Sequence, residues 1–78
     1  MSVDADEVLD CSGLACPMPI LKTKKAVDAL ERGQILKMIA TDPGSQSDID
    51  AWTSRTGNPL VDSEVSGDTY IFYIQRKS

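Results

Sequence analysis

Turn-forming residues divide this 78-residue chain into six short segments, and this division limits what the chain can fold into. The breaks are Ser12-Gly13, Gly33, Asp42-Pro43-Gly44, Gly57-Asn58-Pro59 and Ser66-Gly67-Asp68. A chain of this length has room for one small domain with one hydrophobic core. We therefore expect a single domain over residues 1–78, with residues 1–6 flexible.

Four of the segments predict strands. The segment Glu7–Cys11 is a short candidate, and residues 34–41 form a dense apolar run whose length favours a buried strand over a helix. Residues 60–65 and 69–77 flank a tight turn and predict an antiparallel hairpin. The side chains of residues 69–77 alternate most regularly, so this is the clearest strand in the chain.

The first predicted helix covers residues 18–32. Its apolar face is made by Ile20, Val27 and Leu30 and is widened by Leu21 and Ala26. The glycine at position 33 follows the last turn, where a C-terminal glycine is expected.

The second predicted helix begins near Ser45. Ser45 and Asp48 resemble a capping box, with Asp in place of the usual Glu or Gln. Ile49, Trp52 and Thr56 then recur at helical spacing, and the turn at residues 57–59 ends the helix.

The resulting element order is βαβαββ. Because a crossover between parallel strands is right-handed, the first two strands should pair in parallel. Two helices on one face of a four-stranded mixed sheet is the economical packing. The predicted fold class is therefore α/β (α+β), a two-layer sandwich.

Composition excludes several classes of function. Eight Lys and Arg against 12 Asp and Glu give a net charge of −4, which argues against indiscriminate nucleic-acid binding. The chain has no histidine, so it cannot form a Cys–His dyad or a Ser–His–Asp triad by itself. Its two cysteines cannot complete a four-ligand zinc site. We therefore expect no metal and no cofactor.

The N-terminal residues and the hydropathy of the chain predict where the protein is located in the cell. The first seven residues lack the basic and apolar regions of a signal peptide. No apolar run approaches the roughly 20 residues that span a bilayer. We expect a cytoplasmic protein with no membrane partner.

Cys16, in the motif Cys16-Pro17-Met18-Pro19, is the candidate reactive residue. It lies at or next to the start of the first helix, where the helix dipole favours a thiolate. Pro17 suits the first helical position, and with Pro19 it fixes φ and should hold the sulfur outward on a stiff platform. The loop that starts at Gly13 favours exposure. The alternative is a buried, inert cysteine.

Cys11 fits a packing role better. In strand alternation it shares a face with Leu9, so we interpret it as a core residue. The alternative is a resolving cysteine that forms a disulfide with Cys16. That alternative depends on the separation of the two Cα atoms, which sequence does not give.

Three further features have both a functional and a structural interpretation. The lysines Lys22, Lys24 and Lys25 could dock an acidic partner or an RNA backbone, or could form a solvated helix face. The loop Asp42-Pro43-Gly44 lies at the end of a parallel strand and could bind a ligand, although turn chemistry is favoured. Trp52 could contact a partner, but its spacing favours the core.

The motif at Cys16 belongs to a longer pattern. The chain contains Leu9-Asp10, Gly13-Leu14, Cys16-Pro17-x-Pro19, Ala29-Leu30, Gly33, Thr41-Asp42-Pro43, Asp48-Ile49 and Gly57. With this combination it resembles the TusA/SirA-like family of small sulfur-carrier proteins over nearly its whole length.

The resemblance implies a fold of βαβαββ order and a function. It implies that Cys16 accepts sulfane sulfur as a persulfide and passes it to another protein, in tRNA thiolation or other sulfur metabolism. The implied partners are a sulfur-donor protein, either a cysteine desulfurase or a rhodanese-like protein, and a sulfur-acceptor protein. Cys11 is not part of the family motif, so the resemblance implies no dithiol role.

Three hypotheses follow from these features. The chain lacks an obvious general base, which favours a sulfurtransferase-like carrier over a self-sufficient enzyme. An RNA-binding or regulatory module would use the lysines and would not need Cys16, although the net charge argues against direct nucleic-acid binding. A thiol redox protein would use Cys11 together with Cys16.

Overall fold

The computed structural model describes residues 4–15 and 18–77, which form four strands and two helices in the predicted order. The elements are β1 (Glu7–Cys11), α1 (Met18–Asp28), β2 (Ile35–Ala40), α2 (Ser45–Thr56), β3 (Leu60–Ser66) and β4 (Thr69–Gln75). Every predicted strand is present, and no strand end moves by more than two residues. Neither helix has the length and apolar character that spanning a membrane requires, and these are the helices of the described residues.

The four strands form one mixed sheet in the order β1-β2-β4-β3. β1 and β2 are parallel, and β4 runs antiparallel to both of its neighbours, β2 and β3. The parallel pair brings the carboxyl ends of β1 and β2 to the same edge of the sheet, and a helix follows each of them. The predicted two-layer α/β sandwich is confirmed.

One hydrophobic core lies between the sheet and the two helices. Alternate residues of β2 point into it, because side chains along a strand alternate between the two faces. Trp52 is 5% exposed and belongs to this core, as its spacing predicted. The buried cluster contains Cys11, Val27, Leu30, Leu36, Met38, Ala40, Ile49, Trp52, Phe72 and Ile74.

α1 ends at Asp28 instead of continuing to residue 32, so the predicted helix is too long. After Asp28 the chain forms a tighter turn, because the N–H of Leu30 donates to the carbonyl oxygen of Val27, three residues earlier. The Arg76 guanidinium donates to the carbonyl oxygens of Asp28 and Leu30, which satisfies acceptors left free at a helix end. Gly33 therefore does not cap α1; its φ of +86° serves the turn into β2.

The apolar face of α1 also differs from the prediction at one position. Ile20 and Ala26 pack against the core as expected, but Leu21 is 52% exposed and does not widen the buried face. Thr23 is buried instead. Its hydroxyl donates to the carbonyl oxygen of Pro19 at 2.7 Å, which supplies the partner that a buried polar group needs.

The start of α2 does not use the predicted capping box. Gly44 is the N-cap residue, and Ser45, the first residue of α2, has a buried hydroxyl without a hydrogen-bond partner. The Asp42 carboxylate accepts a hydrogen bond from the Gly44 N–H at 3.2 Å, in line with turn chemistry for this loop. α2 ends as predicted, with Gly57 at φ +79° and its N–H bonded to the Thr53 carbonyl oxygen.

Candidate functional site

The loop between β1 and α1 contains the predicted reactive cysteine. Cys16 and Pro17 lie outside the described residues, so the geometry of the site comes from the residues on either side. Ala15 and Met18 are both exposed, Met18 by 44%. The Met18 N–H donates to the Ala15 carbonyl oxygen at 3.0 Å. The chain therefore reaches the surface immediately before and after Cys16 and Pro17.

Gly13 anchors the start of this loop. Its φ of +80° lies in the left-handed region, which side-chain-bearing L residues rarely adopt. The Gly13 N–H donates to the Thr41 hydroxyl oxygen at 2.9 Å, and the Leu14 N–H donates to the Cys11 carbonyl oxygen at 3.1 Å. Because Thr41 directly follows β2, the first of these bonds ties the loop to the neighbouring parallel strand.

Asp10 forms a second anchor. Its carboxylate accepts a hydrogen bond from the Ser12 N–H at 2.9 Å. Hydrogen bonds from the Ser12 side chain and main chain lower the pKa of the Asp10 carboxyl below its usual value, so it remains an acceptor at neutral pH.

Sequence reasoning assigned no positioning role to Asp10 or Thr41. An aspartate two residues before Ser12 is a recognisable turn signal, so the Asp10 bond could have been predicted. Thr41 lies 28 residues from Gly13, and local sequence carries no signal for that hydrogen bond.

Pro19 fixes the beginning of α1 to the core. It is the second residue of the helix and is buried. A proline fits in the first turn because the N–H groups there have no intrahelical acceptor. The Pro19 carbonyl oxygen also accepts a hydrogen bond from the Thr23 hydroxyl, which strengthens the attachment at the same point.

The three predicted docking lysines, Lys22, Lys24 and Lys25, are all exposed on α1. Lys22 also acts electrostatically on the end of β1. Burial raises the pKa of the Cys11 thiol, while the positive charge of Lys22 opposes that rise. Lys22 thus supplies positive potential where the loop towards Cys16 begins.

Cys11 is fully buried in the core and has a free thiol. Burial is the main cause of its raised pKa, and it disfavours the thiolate that sulfur chemistry requires. The predicted core role of Cys11 is confirmed. The burial of Cys11 shields its thiol from solvent, which weighs against the redox hypothesis.

These features define a class of protein: a small two-layer α/β domain whose first parallel strand leads through a cysteine-containing loop into a helix. A SirA-like protein from Desulfitobacterium hafniense has this fold. The two structures align with a TM-score of 0.78 over 92% of this chain and 99% of that chain, at 19% sequence identity.

Sequence comparison narrows the class to one family. The family model for sulfurtransferase TusA matches residues 7–76. Sulfur carrier protein TusA of Allochromatium vinosum is 49% identical, over 94% of this chain and 96% of that relative. Sulfur carrier protein TusA of Pseudomonas aeruginosa is 36% identical, over 100% of this chain and 99% of the relative. The chain belongs to the TusA family.

Proposed function

We propose that this protein is a small sulfur carrier that accepts sulfane sulfur as a persulfide on Cys16 and passes it to a partner protein. The observation that carries the proposal is the match to the family over residues 7–76, with relatives that are named sulfur carriers. The burial of Cys11 supports Cys16 as the working residue, because the chain has only these two cysteines.

The proposed chemistry is thiolate exchange. The Cys16 thiolate attacks the outer sulfur of a donor persulfide, the donor's S–S bond breaks, and the donor leaves as a thiolate. An acceptor thiolate then attacks the outer sulfur of the Cys16 persulfide, and Cys16 leaves as a thiolate. Neither step has net oxidation or needs a general base, which suits a chain without histidine.

The proposed partners are a sulfur-donor protein, either a cysteine desulfurase or a rhodanese-like protein, and a sulfur-acceptor protein. The relay would serve tRNA thiolation or other sulfur metabolism in the cytoplasm. Gly13, Pro17 and Pro19 would hold the loop in shape. Partner docking is proposed on Lys22, Lys24 and Lys25, because these charges are exposed on the helix that follows Cys16.

Sulfur loading tests the proposal directly. The protein is incubated with a purified cysteine desulfurase and cysteine, or with a thiosulfate sulfurtransferase and thiosulfate, and its intact mass is recorded. We expect the unsubstituted protein to gain one sulfur atom and Cys16→Ser to gain none.

Cys11→Ala is the matched control. Removing the buried sulfur leaves a small cavity that costs about 1 kcal/mol of unfolding free energy, so the variant should stay folded and load normally. Equal loading of Cys16→Ser and the unsubstituted protein, or loading of neither with any competent donor, contradicts the proposal.

The lysine contribution needs a separate experiment. Replacing Lys22, Lys24 and Lys25 with Gln should slow sulfur transfer from a protein donor by about tenfold at low salt and reduce its salt dependence. Loading from inorganic polysulfide, a small anion that needs no docking surface, should slow less than transfer from the protein donor. The charge-matched control replaces Arg32, Arg55 and Lys77 with Gln, since these cations are exposed elsewhere. Equal slowing in both triple variants argues against a docking role.

A further inference from the structure

A groove with a volume of about 320 Å³ runs beside β1, at the end of the sheet opposite the Cys16 loop. Val8 and Leu9 of β1 line one side, and Ala26, Ala29 and Leu30 line the other. Val8 is 62% exposed, so β1 presents an apolar side chain to solvent. Glu7 and Gln34 also line the groove, so it combines apolar side chains with polar groups at the margin of the sheet.

β1 is also the first strand of the sheet, so only one of its sides is paired among the described residues. Just before β2, the carbonyl oxygen of Gln34 accepts from the Arg76 N–H on the β4 side. Main-chain groups alternate between the two sides of a strand, so those of Lys37 and Ile39 face β1. In the parallel register, Lys37 lies opposite Val8 and Ile39 opposite Asp10. The main chains of Lys37 and Ile39 therefore bond to the β1 residues on either side of Val8 and Asp10. The N–H and C=O groups of Val8 and Asp10 themselves point away from β2, towards the open side of the sheet.

The other edge of the sheet is less suited to pairing. β3 has an irregular register between Leu60 and Asp62. Such a bulge bends an edge strand and disfavours addition of another strand. The register of β1 with β2 is unbroken from Glu7 to Cys11. β1 is thus the edge that can accept a further strand.

Acidic side chains determine what kind of strand would fit. Asp4, Asp6, Glu7 and Asp10 are all exposed along β1 and the residues before it. These carboxylates would repel the same edge of a second copy, because like charges placed opposite each other are destabilising. They would attract a segment that carries Lys or Arg.

We propose that the free edge of β1 and the adjoining groove bind an extended, basic segment of the protein that exchanges sulfur with Cys16. The segment adds a fifth strand through main-chain hydrogen bonds to Val8 and Asp10, and one of its apolar side chains enters the groove. This inference rests on the proposed sulfur-carrier function and identifies how a partner is held during transfer.

We call the free edge of β1 together with the adjoining groove the docking track. The direction of β1 leads along this track towards the Cys16 loop. The strand runs from the groove at Glu7 to Cys11 over roughly 13 Å, at about 3.3 Å per residue, and the Cys16 loop follows. A segment anchored in the groove therefore places a cysteine a few residues further along beside that loop. Its thiolate attacks the outer sulfur of the Cys16 persulfide, a new S–S bond forms on the partner, and Cys16 leaves as a thiolate.

Amide hydrogen exchange, measured by NMR, tests the docking track on the unsubstituted protein. The probe is a synthetic seven-residue peptide of alternating Lys and Val. We expect it to slow exchange of the Val8 and Asp10 amides by about tenfold, the effect of a hydrogen bond worth roughly 1.4 kcal/mol. A peptide of alternating Glu and Val should leave both amides unprotected.

Two substitutions at one position separate main-chain pairing from side-chain effects. Val8→Pro removes an N–H that faces away from β2, so proline is tolerated there but cannot donate to an added strand. Val8→Thr keeps the donor and the β-branched shape. We expect Val8→Pro to weaken peptide binding by about tenfold and Val8→Thr to stay within about twofold.

Sulfur loading keeps this inference separate from the proposed function. Inorganic polysulfide should load both Val8 variants as well as the unsubstituted protein, because it needs no docking track. Docking is overturned if the basic peptide fails to bind, protects amides elsewhere, or binds Val8→Pro as tightly as Val8→Thr. Failure of polysulfide to load the unsubstituted protein would instead overturn the sulfur-carrier proposal, whatever the peptide does.

Discussion

At the scale of single residues, the loop before Cys16 depends on the backbone of Gly13. A Cβ atom at this position would meet no other atom within 4 Å, so space does not require glycine. The positive φ does, because an L side chain in that conformation crowds its own main chain. The Thr41 hydroxyl then holds the Gly13 N–H in place.

Gly13→Ala should therefore destabilise the protein through backbone conformation alone. We expect a loss of about 1–2 kcal/mol in unfolding free energy, measured by urea denaturation. Gly13→Asn is the control and should lose less, since asparagine adopts this conformation more readily. Equal stability of Gly13→Ala and the original protein would show that the loop does not need this backbone angle.

Residue roles were predictable where the signal was local. Strand alternation identified Cys11 as a core residue, and helical spacing identified Trp52. The Thr41–Gly13 hydrogen bond and the unpaired, buried Ser45 hydroxyl were not predictable. The first depends on the pairing of distant strands, and the second on where α2 packs against the sheet.

At the scale of elements, the end of α1 is determined by a residue near the other end of the chain. Arg76 follows β4, and its guanidinium reaches the carbonyl oxygens of Asp28 and Leu30. The contact with Leu30 spans 46 residues in sequence. A charged donor at this point satisfies carbonyl groups at the negative end of the helix dipole.

Arg76→Ala should remove this cap and leave those carbonyl oxygens without their charged donor. We expect a loss of about 2 kcal/mol in unfolding free energy, measured by chemical denaturation. Lys77→Ala, at the neighbouring exposed position, should change stability by less than about 0.5 kcal/mol. Similar losses in the two variants would mean that general charge, and not the cap, is responsible.

The elements themselves were largely predictable from sequence. Turn residues delimit the strands, and apolar runs identify them, so all four strand positions were correct to within two residues. The helix ends were less predictable. The C-terminal end of α1 depends on Arg76, and the cap of α2 uses Gly44 in place of the expected Ser45. The first depends on a tertiary contact, and the second on the local turn at Asp42 and Gly44; periodicity reports neither.

At the scale of the whole molecule, exposed side chains of opposite charge precede and follow the Cys16 loop along the chain. Basic side chains, including Lys22, follow it on α1, and acidic side chains, including Glu7, precede it along β1. The sheet contributes the fixed frame, since both parallel strands end at the edge where the loop begins. In the proposed function, these charges orient a partner of complementary charge before sulfur moves.

The position of the extra sulfur tests the central claim most directly. The unsubstituted protein is loaded by a cysteine desulfurase and alkylated, and tandem mass spectrometry breaks the chain between Cys11 and Cys16 to locate the sulfur. We predict that it is attached to Cys16 and that Cys11 is unmodified. Sulfur on Cys11, or sulfur on neither cysteine after competent loading, would contradict the account.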